Sequence, residues 1–210
     1  FLECAAKVGL KVLIRPSPYI CSECDMGGLP PFLLRDRDLV LRSCDPRYIS
    51  EVERWYDVLC PVLTPYLEEN GGPIILCCLE NEYGGYGTDR EYLVKMADML
   101  KKRGITCPLY TTDWYKLTHQ YYGNVEGAWK AVNYRTESER SINALKKIQP
   151  DKPAYVGELW TGRSMNIEEP YFVRELDPVT DSYKKALELG AGIDIYMFCG
   201  GTNFAFNNGA

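Results

Sequence analysis

Histidine is nearly missing from this sequence: His119 stands alone among the residues. One imidazole cannot build a multi-histidine metal site, and no other cluster of metal-type ligands accompanies it. His119 is expected on the surface or in a loop, and no cofactor is expected. Long apolar runs are missing too. The longest, such as Ile74–Leu79, is far too short to span a bilayer, so no membrane partner is expected. The given sequence begins at Phe1 in an ordinary stretch without the pattern of a secretory leader, and from the missing Met start the true N-terminus is expected upstream. There is no surplus of positive charge. A net charge of −5 gives no electrostatic reason to expect nucleic acid. Asn-x-Ser/Thr sequons are absent, and Gly84-Gly85-Tyr86-Gly87 lacks the spacing of a dinucleotide-binding fingerprint. No internal repeat stands out.

Cysteine, by contrast, is plentiful and odd in number, at nine. Cys21-Ser22-Glu23-Cys24 has CxxC spacing, but no second pair completes a zinc site. Free thiols in a reducing compartment are the simplest reading, and with the missing sequons they point to a cytoplasmic protein. Sixteen tyrosines and four tryptophans could stack on sugar rings, although such residues more often fill a core.

The 210 residues suit one domain, 1–210, without an internal boundary. Short apolar runs alternate with amphipathic stretches. Strands are expected at Lys11–Ile14, Pro73–Leu79, Cys107–Thr111, Val125–Asn133, Ala154–Val156 and Ile193–Phe198. Helices are expected over Asp45 to about Leu59 (Val52, Trp55, Tyr56 and Leu59 on one face), over Glu91–Arg103 and over Asp181–Leu189. Another is expected from a capping box at Thr136-x-x-Glu139 to about Ile148. Alternation of this kind, with near-continuous apolar strands, means parallel β-sheet flanked by helices. Polar and Gly-rich residues follow the strand C-termini, where both an α/β barrel and a doubly wound sheet bind ligands.

The chemistry concentrates at two strand ends. Glu80-Asn81-Glu82-Tyr83-Gly84 follows the Pro73–Leu79 run, and Gly157-Glu158-Leu159-Trp160-Thr161-Gly162 follows Ala154–Val156. Period-two alternation would point Glu80 and Glu82 to one face. Two carboxylates from different strands can face each other across a sugar. One protonates the leaving oxygen; the other attacks the anomeric carbon, and water later releases the glycosyl-enzyme. The competing reading is a solvated turn with an ion pair, and a structural ion pair is the expected role of Glu80.

The chain resembles glycoside hydrolase family 35, the β-galactosidases, along essentially its whole length. Four blocks in order carry the resemblance: Ile14-Arg15-Pro16-Ser17-Pro18-Tyr19-Ile20-Cys21-Ser22-Glu23 with Met26-Gly27-Gly28-Leu29-Pro30; Gly71-Gly72-Pro73 through Glu82-Tyr83-Gly84; Gly157–Gly162; and Tyr196-Met197-Phe198-Cys199-Gly200-Gly201-Thr202-Asn203-Phe204. The resemblance implies a (β/α)8 TIM barrel of which about strands three to eight are here. Two N-terminal βα units would be missing, and the remainder of the parent chain would complete the barrel. It implies a retaining exo-β-galactosidase acting on a β-galactoside or oligosaccharide, with Glu82 as acid/base and Glu158 as nucleophile. It also implies that Tyr19, Glu23, Asn81 and Tyr196 contact the galactose, Tyr196 holding the nucleophile ionised. The alternatives are another exo-β-glycosidase, such as a β-glucosaminidase, or an inactive sugar-binding barrel. The chain departs from the family pattern at Ser17, Cys24 and Asp25. It also reads Arg163-Ser164-Met165 where aromatics are usual on the leaving-group side; Arg163 there points to a polar or acidic aglycone.

Overall fold

The computed structural model describes residues 1–16, 18–22, 24–163 and 170–199. Six strands form one sheet: β1 (Val12–Ile14), β2 (Ile74–Asn81), β3 (Leu109–Trp114), β4 (Trp129–Tyr134), β5 (Tyr155–Trp160) and β6 (Gly192–Tyr196). Every pairing is parallel, and the order in the sheet is the order in the chain. A doubly wound sheet reverses its strand order at a switch point; this one never does, so the doubly wound alternative is excluded. The helices after α1 (Leu2–Lys7) lie between successive strands: α2 (Pro46–Leu63), α3 (Tyr83–Tyr86) with α4 (Arg90–Lys102), α5 (Leu117–Tyr122), α6 (Ser138–Ile148) and α7 (Leu176–Glu188).

The sheet is curled. Arg15, just past β1, bonds Glu158 on β5 at 2.5 Å. In a flat sheet those strands would lie about 19 Å apart, four spacings of roughly 4.8 Å. The architecture is a partial (β/α) barrel. Among the described residues no helix is long and apolar enough to cross a membrane.

The outer face of the sheet packs on the helices in two clusters. Ile74, Cys77 and Leu79 of β2 meet Val52, Tyr56 and Cys60 of α2 and Leu93, Met96 and Leu100 of α4. Val132, Val156 and Leu159 meet Ile142 and Leu145 of α6 and Ala186 of α7. A small inner layer of Leu76, Cys78, Tyr110 and Ala131 fills the concave side. Cys77 and Cys78 thus go to opposite faces, as period-two alternation requires.

Several elements differ from the sequence expectation. The buried stripe of α2 runs Tyr48, Val52, Tyr56, Cys60, Leu63, and Trp55 lies off it, its indole N–H donating to the Pro16 carbonyl. The helix also continues through Pro61, which falls in its last turn. The capping box at Thr136 does not form: α6 starts after Glu137, whose own carboxylate accepts the N–H groups of Arg135 and Thr136. Helix α7 begins five residues before Asp181, at Leu176. Strands β2 and β5 run on to Asn81 and Trp160, so Glu80, Asn81 and Glu158 stand inside strands rather than after them. All nine cysteines are free thiols.

Candidate active site

A cavity of about 970 Å³ opens at the C-terminal ends of the strands. Its wall includes Arg15, Asn81, Glu82, Trp114, Arg135, Glu158, Trp160 and Tyr196. Both carboxylates singled out in the sequence therefore reach one space, and each does so by breaking the alternation of its strand.

On β2, Cys78 points inward, and strict alternation would send Glu80 inward after it. The register with β3 shifts between Cys78 and Asn81. Glu80 instead turns to the helix side. There its carboxylate receives Arg42 Nε at 3.0 Å and Nη2 at 2.8 Å, the Tyr92 hydroxyl at 2.9 Å and the Asn81 N–H at 2.6 Å. It is the expected structural ion pair. Glu80 and Glu82 do not share a face. Asn81 turns inward, and Glu82 then adopts a left-handed conformation, φ 49°, that brings it into the cavity as well. Asp113 fixes this turn by accepting the Gly84 N–H at 2.7 Å. Gly84 is there because a Cβ would sit 1.9 Å from the His119 carbonyl oxygen.

On β5 the register with β6 shifts between Val156 and Leu159, two residues that both face the outer core. The pair between them, Gly157 and Glu158, both line the cavity. A side chain at Gly157 would meet Thr112 Oγ1 at 2.6 Å. Irregularities of this kind re-aim side chains beside active sites.

The two carboxylates have contrasting surroundings. Glu158 is 7% exposed and accepts from Arg15 Nη1 at 2.5 Å and Trp160 Nε1 at 2.8 Å. Arg15 also bonds Asn81 Oδ1 at 3.0 Å and the Gly157 carbonyl at 3.2 Å. Glu82 receives the Asn133 amide at 2.8 Å. Burial raises the Glu82 pKa above the ordinary carboxylate value; Asn133 opposes the rise, and the charge of Glu158 adds to it. Beneath the site, burial pushes the Asp113 carboxyl up to about 7, against the Gly84 N–H and Lys130, and pushes Lys130 down to about 8.

Of the expected sugar contacts, Asn81 and Tyr196 line the cavity. Tyr19 does not; its ring lies under the Arg42 guanidinium, 3.8 Å from the centroid, with Gly27 pressed against it. Its neighbours Ile20, Cys21 and Ser22 line the wall instead. Glu23 lies outside the described residues. Sequence reading missed Arg15, Trp114, Asn133 and Arg135. The signal that found the glutamates, a polar side chain closing an apolar parallel strand, applies equally to Arg15 and Asn133. His119 is half-buried on α5, near Trp114, with burial lowering its pKa. Among the described residues no cluster of three or more His, Cys, Asp or Glu could hold a metal.

The family model for Glycosyl hydrolases family 35 matches residues 1–210. The chain belongs to this family. Two human relatives are similar over the whole of this chain: Beta-galactosidase-1-like protein 3, 37% identical over 210 residues, and Beta-galactosidase, 39% identical over 214 residues. The mouse Beta-galactosidase is 37% identical over 214 residues. This chain covers 32%, 32% and 33% of those proteins, so the family 35 segment here spans about a third of their length.

Proposed function

We propose that this family 35 chain carries the centre of a retaining exo-β-galactosidase that removes a terminal β-linked galactose through a covalent glycosyl-enzyme. One observation carries the reading: two carboxylates share one cavity in contrasting surroundings, Glu158 paired with Arg15 and Glu82 half-buried, away from any cation that bonds it, with its pKa raised by desolvation. That asymmetry is what the two roles need. Glu158 attacks the anomeric carbon as a carboxylate. Glu82 gives its proton to the departing oxygen and afterwards takes one from the water that releases the sugar. Asn81 and Tyr196 bond the galactose hydroxyls, joined by Glu23, and Tyr196 hydrogen-bonds the nucleophile; Tyr19 acts from behind, through Arg42. The strands correspond to three to eight of an eight-stranded barrel. The sequential strand order supports this, as do β1 and β6, each paired on one side only among the described residues. The free thiols support a reducing, cytoplasmic setting.

The test is hydrolysis of nitrophenyl β-galactoside, β-glucoside, β-glucosaminide and α-galactoside by the complete protein beside Glu158→Gln. Release from the β-galactoside alone, lost in the variant, is expected. Preference for the β-glucosaminide would change the sugar, and no release from a folded protein would leave only a sugar-binding barrel.

The pH profile gives a second check. Glu82 must start protonated, so kcat/KM should fall as pH rises through its raised pKa. The Asn133 amide favours the charged form of Glu82. Asn133→Ala should therefore move the alkaline limb to higher pH. An unmoved limb would remove Glu82 as the acid.

A further inference from the structure

Behind Glu82 two buried polar side chains stand in line. The backbone N–H of Glu82 donates to the Thr112 carbonyl on β3 at 3.0 Å. Its carboxylate Oε1 receives Nδ2 of Asn133, on β4, at 2.8 Å. The other end of that amide, Oδ1, receives the Thr112 hydroxyl at 2.5 Å. Thr112 is 1% exposed and Asn133 0%. A Cβ at Gly157, the residue before Glu158, would sit 2.6 Å from Thr112 Oγ1 and 3.1 Å from Asn133 Oδ1, so β5 closes over the pair. A hydroxyl, an amide and a carboxyl thus run in sequence from the sheet interior to the cavity.

An amide can be turned end for end with little change of shape, and its two ends do opposite things to an acid. With Nδ2 towards Glu82, the neutral carboxyl meets a donor. The oxygen that accepts from the amide leaves the proton on its twin, available to the substrate. With Oδ1 towards Glu82, the amide would itself accept that proton and compete with the leaving oxygen. The Trp114 indole N–H, which also favours the charged form of Glu82, is a donor only. The choice between the two orientations falls to Thr112. Among the described residues its hydroxyl makes one hydrogen bond, the one to Asn133 Oδ1. With the amide reversed, that O–H would face an NH2 group and lose its acceptor, and buried donors are seldom left without one.

We infer that Thr112 is a positioning residue for the general acid: its hydroxyl holds the Asn133 amide with its N–H groups towards Glu82, so that the Glu82 proton finds no acceptor in the β3–β4 wall and goes to the leaving oxygen. In the step served, Glu158 forms a bond to the anomeric carbon and the bond from that carbon to the leaving oxygen breaks. The leaving oxygen takes the bonding pair and the proton of Glu82. The Thr112 side chain touches none of the reacting atoms and acts through Asn133. The inference rests on the reading of Glu82 as the acid.

The experiment uses the complete protein and two aryl β-galactosides. Phenol leaves poorly without a proton, whereas dinitrophenol leaves well as its anion. Thr112→Val keeps the side-chain shape and removes the hydroxyl, so residue 112 no longer favours either orientation of the amide. It should lower kcat/KM about tenfold for phenyl β-galactoside and less than about twofold for dinitrophenyl β-galactoside, since a general acid contributes where the leaving group needs its proton. Thr112→Ser should recover most of the loss. In an Asn133→Ala background, Thr112→Val should lower the rate little further, because no amide is left to turn. The alkaline limb for phenyl β-galactoside should also move to higher pH in Thr112→Val, because an amide oxygen facing Glu82 favours its neutral form. Glu158, Arg15 and Asp113 act on Glu82 as charges and Arg135 lines the same cavity; all four stay in every variant. A loss shared equally by both substrates would mark a general distortion and overturn the inference. So would an unchanged rate on phenyl β-galactoside, or losses that simply add in the double variant. If Thr112→Val does not fold, Thr112→Cys, whose thiol is a weak donor, takes its place under the same criteria. Two further results would sink the inference together with the reading beneath it. Hydrolysis of neither substrate by the parent would mean that the glycosidase reading has failed. Equal loss of both substrates in Glu82→Ala would mean that the acid was misassigned.

Discussion

Glu158→Ala should lower turnover of nitrophenyl β-galactoside by at least about four orders of magnitude, since in the proposed mechanism Glu158 is the group that forms the covalent intermediate. Sodium azide should restore part of the activity, and the product should be the α-galactosyl azide. The reason is steric. Azide fits the space left by the carboxylate, attacks from that face in a single displacement, and inverts the anomeric carbon. Arg15 remains in place to receive it, still held by Asn81 Oδ1 and the Gly157 carbonyl. Glu82→Ala should behave differently. Its loss should be about 10²–10⁴-fold and largest for substrates whose leaving group needs a proton. Azide then attacks the glycosyl-enzyme from the opposite side and gives the β-galactosyl azide. The stereochemistry of the azide products, read by NMR, separates the two roles. A β product from the Glu158 variant would reverse the assignment, and no rescue of either would count against a covalent route.

Arg42→Met should destabilise the protein by about 3–5 kcal/mol, because it strands a buried carboxylate. Arg42 is 4% exposed and Glu80 1%, and their two bonds of 3.0 and 2.8 Å are the main compensation for the desolvated charge. The double variant Arg42→Met, Glu80→Gln should recover most of that loss. The amide oxygen can still accept the Asn81 N–H, its NH2 can donate to the Tyr92 hydroxyl oxygen in place of the other carboxylate oxygen, and no charge is left buried. Urea midpoints of the single and double variants, taken at equal m-value, measure the difference. A single-variant loss below about 1 kcal/mol would mean the pair is not what holds Glu80. Arg42 also donates to the Asn81 carbonyl at 2.6 Å, one residue before Glu82. The same substitution should therefore lower kcat in whatever protein remains folded.

Much of this was legible in the sequence. The six strands followed from short apolar runs bounded by Gly and Pro, and the site from carboxylates closing two of them. What escaped was geometry that does not follow a period. Alternation placed Glu80 and Glu82 on one face, yet a register shift and one left-handed residue send Glu80 to Arg42 and Glu82 to the cavity. No residue type in Cys78–Glu82 announces that shift. Trp55 misled for a related reason: it sits at helical spacing, but the helix turns its buried stripe to Tyr56 and Cys60. Arg15 was visible but read as the end of a strand, because its partner is 143 residues away and spacing carries no information over that distance. The choice between a barrel and a doubly wound sheet likewise needed the strand order, which composition does not contain.

That distance has a consequence for how the site comes into being. During synthesis β1 emerges before β5, and Arg15 must wait while 142 further residues are added before Glu158 appears. Loop closure over such a span is slow and entropically opposed until the intervening strands have zipped side by side. Glu158 therefore acquires its cation only when the sheet has already bent round. In a population caught part-way through refolding, secondary structure should be complete while activity is still absent, and the last event to register should be the return of turnover.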